Sequence, residues 1–113
     1  MIDDLQTIGP LLEKMRAALP MRAHVGHDVL RMLRQEVPEV YFPHKCEVTE
    51  VRYAGDEGGI LCTLDFGAHA LKRMFIVAIT HVTFECRNPL LRDIERYKKR
   101  RVKRLRRFQG GVA

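Results

Sequence analysis

The chain has 113 residues and a formal net charge of +6, with 46% hydrophobic and 30% charged residues. That length suits one domain with its own core, and that balance excludes a disordered or collagen-like chain. The longest apolar run, Met74 to Ile79, is six residues, far below the roughly 20 that cross a bilayer, so no membrane association is expected.

Residues 1–8 open the chain with acidic Asp3 and Asp4 where an export signal would be basic, and they are expected to be loose. Gly9-Pro10 reads as the entry to a first helix, because proline at the first helical position forfeits only an orphan N–H. Leu11, Leu12, Met15, Ala18 and Leu19 follow at helical spacing. Pro20 reads as the start of a second helix, with Val25, Val29, Leu30, Leu33 and Val37 as its apolar stripe and Pro38 as its end. Gly26 inside that helix would cost about 1 kcal/mol relative to alanine.

From Cys46 the apolar period changes to two. Cys46 to Tyr53 is a predicted strand with a bulge near Thr49-Glu50, since Val48 and Val51 have opposite parity. Gly55 to Gly59 is a turn, and Ile60 to Phe66 alternates as a second strand. Lys72 to Glu85 reads as one long third strand whose first half is apolar on both faces. Asn88 and Pro89 then form a favoured start for a final helix, which Gly110-Gly111 stops, with residues 109–113 as a flexible tail.

The expected fold is therefore α+β: two N-terminal helices, a three-stranded antiparallel meander and a basic C-terminal helix, packed as a two-layer sandwich in a single domain over 1–113. One sheet face would stay uncovered, carrying either Phe75, Val77 and Ile79 or Met74, Ile76, Ala78, Val82 and Phe84. Either set marks an interface, so a homo-oligomer, in the simplest case a homodimer, is expected.

Candidate chemistry is sparse. A hairpin about Asp56-Glu57 would bring His44 opposite His69 with Cys46 next in the ladder, a ligand set zinc accepts, but no metal-ligand spacing supports it. His24 and His27, with Asp28 adjacent, would lie three apart on the second helix. Asp65 and Glu85-Cys86-Arg87 imitate a nuclease acid set, yet on a continuous third strand their carboxylates would stand over about 30 Å apart. The three separated cysteines, Cys46, Cys62 and Cys86, make no disulfide framework and point to a reducing, cytoplasmic setting. No catalytic residue, cofactor or metal is assigned, and the chain reads as a non-catalytic module.

Charge is the positive signal. The segment Leu90 to Gln109 carries +8 and the remainder −2, while Glu36 to Glu57 is locally −4. Lys98, Lys99, Arg100, Arg101, Lys103, Arg104, Arg106 and Arg107 crowd one helix, more than its dipole requires and at spacings where like charges repel. An anionic partner explains the excess. The reading is nucleic acid, RNA before DNA, held through phosphates; the alternative is an assembly module whose basic helix meets an acidic protein surface. Tyr97 and Phe108 fall on the apolar arc of that helix, which assigns them to the core rather than to base stacking.

Overall fold

The computed structural model describes residues 5–67 and 74–110. Three helices, α1 (Leu5–Ala18), α2 (His27–Glu36) and α3 (Leu91–Gly110), accompany five strands: β1 (Met21–Val25), β2 (Lys45–Tyr53), β3 (Ile60–Asp65), β4 (Met74–Ala78) and β5 (Val82–Phe84). A helical turn at Gly55–Gly58 joins β2 to β3, and a 3₁₀ turn at Ile79–His81 joins β4 to β5. The class is α+β as expected, but the sheet has five antiparallel strands in the order β4-β3-β2-β1-β5 rather than three.

α1 starts earlier than Gly9-Pro10 implies, and Pro10 lies inside it. Ile8, only 2% exposed, extends the stripe of Leu11, Leu12 and Met15 by one turn. That burial offsets the hydrogen bond Pro10 withholds.

The predicted second helix splits in two. Met21, Ala23 and Val25 are buried while Arg22 and His24 face outward, the alternation of a strand, and β1 occupies the sheet between β2 and β5. Gly26 is not inside a helix: it is the extended residue that ends β1 and caps α2. α2 keeps Val29, Leu30 and Leu33 on its buried side.

The β2–β3 hairpin follows the predicted pattern. Tyr53 pairs with Ile60, and the register slips between Val48 and Glu50, so that Val48 and Val51 both point into the core.

The long third strand is a correction of greater consequence. Its inward residues are Val77 and Ile79, then Val82 and Phe84, so parity changes between Ile79 and Val82. A straight strand cannot bury both sets on one side. The chain resolves the conflict with the 3₁₀ turn, and β5 leaves β4 to pair with β1 on the opposite edge. From Ala78 to Val82 the backbone reaches at most about 14 Å. In a flat sheet of five strands the two edges would stand about 19 Å apart. The sheet must therefore curl, bringing its edges together at the 3₁₀ turn. Phe75, Val77 and Ile79 consequently face inward, and the outward row of β4 is Met74, Ile76 and Ala78, without Val82 and Phe84.

Buried side chains of all three helices and the inward face of the sheet form one continuous core. Among the described residues no helix is long and apolar enough to cross a membrane.

Candidate nucleic-acid interface

Asn88 sets the start of α3: its Oδ1 accepts from Leu90 N–H at 2.9 Å and its carbonyl from Leu91 N–H at 3.0 Å. Ile94 and Tyr97 are buried, and the Tyr97 hydroxyl lies 3.2 Å from Ile60 N–H, which donates to it. These contacts fix the rotation of the helix about its axis, and that rotation sorts its cations.

Two of the predicted binding residues face the body of the protein. Arg101 is 4% exposed and its guanidinium donates to the Asp56 carbonyl at 2.9 Å. The same guanidinium lies over Gly59, where an added Cβ would come within 2.5 Å of Arg101 Nε and 2.8 Å of the Tyr97 hydroxyl. Gly59 adopts φ 65° and ψ −149°, a region open in practice only to glycine. Lys98 is likewise half-buried, donating to the Val82 carbonyl at 2.6 Å and pairing with Glu95 at 3.1 Å. Both side chains hold the fold, and neither lies on the exposed side of α3.

Arg100 is half-buried in a cleft between α1 and α3 that Lys14, Arg96 and Asp93 also line, and Arg104 is half-buried as well. Lys99, Lys103 and Arg106 are exposed, as are Arg92 and Arg96 one and two turns earlier. Arg107 belongs to the helix by its backbone.

The five exposed cations Arg92, Arg96, Lys99, Lys103 and Arg106 follow an i, i+4, i+7, i+11, i+14 series. At about 100° per residue they share an arc of about 80°, and at about 1.5 Å per residue the ridge runs about 21 Å. Both acids of this helix, Asp93 and Glu95, fall outside that arc. The cations described as exposed on α3 thus form a basic ridge opposite Ile94 and Tyr97, while Lys98, Arg100, Arg101 and Arg104 are buried or half-buried on its other faces. Reading Lys98 to Arg107 as a linear run misses Arg92 and Arg96; the helical phase counted from Arg92 finds them.

The other candidates fare differently. His69 lies outside the described residues. His44 donates from Nδ1 to the Val25 carbonyl at 2.9 Å and meets the His27 ring edge to face at 4.9 Å. Cys46 is buried, and burial pushes its thiol up to about 11, with the Asp65 carboxylate adding to the rise. Burial likewise pushes Cys62 up to about 12. Both thiols are therefore protonated near neutral pH and pack as small apolar core residues. His24 and His27 are not on one helix: His24 lies outward on β1 opposite Lys45, and His27 opens α2.

The Asp65–Glu85 separation is corrected by the curl. Asp65 pairs with Glu47, Glu47 with Arg22, and Glu85 N–H donates to the Arg22 carbonyl at 3.4 Å. Three strand spacings, about 14 Å, replace the 30 Å of a continuous strand. Both carboxylates line one cleft of about 420 Å³ with Arg22, His24, Lys45 and Glu47. The cleft mixes basic and acidic side chains, and among the described residues no three His, Cys, Asp or Glu side chains converge to hold a metal ion.

Comparison with protein-family models, curated proteins and solved structures finds no match to this chain.

Proposed function

We propose that α3 binds the phosphate backbone of nucleic acid, duplex RNA or DNA, through the ridge Arg92, Arg96, Lys99, Lys103 and Arg106. One observation carries the reading: five exposed cations align on a single helical face with no acid among them. Neighbours at i+3 and i+4 repel one another at roughly 0.2–0.5 kcal/mol per pair, a cost an anionic rail on that face would reverse. The ridge carries no aromatic residue, so contact is with phosphates rather than with stacked bases, and binding is independent of sequence.

An acidic protein surface is the competing partner. The acids that could serve within a second copy of the chain are dispersed: Glu36 ends α2 and Glu39 follows it, Glu47 and Glu50 lie on the outer face of β2 among Lys45 and Arg52, and Asp56 lies in the turn beyond it. That interleaving favours the nucleic-acid reading. Buried, unpaired Cys46 and Cys62 accord with a cytoplasmic location.

The test is retention of a labelled duplex at about 50 mM salt, where phosphate contacts are strong. Wild-type protein retains it, and the variant with glutamine at all five ridge positions releases it. Absence of retention by the wild type rejects the proposal. Equal retention by the five-glutamine variant places binding elsewhere and rejects the ridge.

A further inference from the structure

The two edges of the curled sheet differ. β5 is three residues long, and Lys98 from α3 occupies its Val82 carbonyl. A short strand and a lysine are devices that blunt an edge against pairing with another chain. β4 has neither. It runs five residues, Met74-Phe75-Ile76-Val77-Ala78, with no charge, proline or bulge, and among the described residues it pairs on one side only, with β3. Met74 is 64% and Ile76 53% exposed on its outward face.

We propose that two copies of the chain pair edge to edge along β4, antiparallel about Ile76, to form a two-fold dimer with a continuous sheet across both copies. The strand is complementary to itself. Ile76 stands opposite Ile76 of the second copy, Met74 opposite Ala78, and Phe75 opposite Val77, so no like charges meet and each face stays in register with its own kind. A charged peptide would find nothing on this strand to recognise, whereas a second copy supplies the same apolar row. Leu61 on β3, which pairs with Ala78, is half-buried on the same face and extends the patch. Five residues a side make a small interface, so the dimer is reversible, with dissociation at roughly micromolar concentration or above.

Sedimentation equilibrium from about 1 to about 500 µM reads the pairing directly, since that range brackets a dissociation constant of tens of micromolar. Wild-type mass should rise from that of the 13.1 kDa monomer towards twice that value. Ile76→Lys, at an exposed position, should stay monomeric with an unchanged circular dichroism spectrum. A second measurement does not depend on that variant: in a Cys86→Ser background, which removes the exposed native thiol, Ile76→Cys should form a disulfide-linked dimer under mild oxidant. Antiparallel partners have Cα atoms about 4.5–5.5 Å apart, within disulfide reach. Thr83→Cys on β5 should not cross-link. A strict monomer at the highest concentration, an Ile76→Lys dimer as strong as the wild type, or an Ile76→Cys protein that fails to cross-link would each overturn the proposal.

Discussion

Arg101 and Lys98 show that a cation's role follows from the carbonyl it meets. Both fall on the buried arc of α3, and each is satisfied by a backbone oxygen, Asp56 for one and Val82 for the other. Arg101→Ala removes a buried charged donor, so urea unfolding should show a loss of about 2–3 kcal/mol. Lys103→Ala, on the exposed ridge, should stay within about 0.5 kcal/mol of the wild type. Gly59→Ala adds a Cβ where Arg101 and Tyr97 already lie and forces alanine to positive φ. It should lower stability by at least about 1–2 kcal/mol, and a melting temperature within error of the wild type would contradict the packing. The buried thiols make a separate prediction. Their folded values, about 11 for Cys46 and about 12 for Cys62, lie above the ordinary 9.0. Unfolding therefore releases protons above pH 9, and the stability these neutral thiols contribute is intact below that pH and lost as pH rises towards 11–12. Unfolding free energies across pH 8 to 11 should fall more steeply for the wild type than for Cys46→Ala/Cys62→Ala, because the slope follows the protons released.

At the scale of elements, what was legible depended on whether one period ran uninterrupted. The β2–β3 hairpin, its bulge and the Asn88 cap could be read because turn glycines, parity and a capping residue agree locally. β1 was hidden because Val25 and Val29 also satisfy helical spacing, and five residues of strand alternation are too few to outweigh it. Its signal was Gly26, costly within a helix and natural between a strand and an N-cap. The break between β4 and β5 was also written locally, in the three-residue interval from Ile79 to Val82, though nothing local says that β5 crosses to the far edge. On α3 the cations could be counted, but their division into fold and surface needed the rotation set by Ile94, Tyr97 and Ile60. That division yields a prediction. Glutamine at any one ridge position should reduce the slope of log K against log salt by about 0.9 for duplex DNA, equally for unrelated sequences. Arg101 offers no such test, since its substitution acts on folding.

The whole molecule combines a curled sheet, one core and a charge distribution concentrated on a single helix. The curl arises from a short link between opposite edges, and it brings Asp65 and Glu85 to one cleft although 19 residues separate them in the chain. Among the described residues the ridge of α3 gathers five exposed cations on one helical face, and the proposed function rests on that ridge. The most direct measurement is the affinity for duplex DNA as salt rises from about 50 to about 200 mM, in the wild type and in the variant with glutamine at Arg92, Arg96, Lys99, Lys103 and Arg106. Five phosphate contacts predict a slope near −4.5 for the wild type, a loss of roughly 500-fold over that range, and a slope near zero for the variant at unchanged unfolding midpoint. A slope that survives the five substitutions, or a wild type with no affinity at the lowest salt, would contradict the assignment.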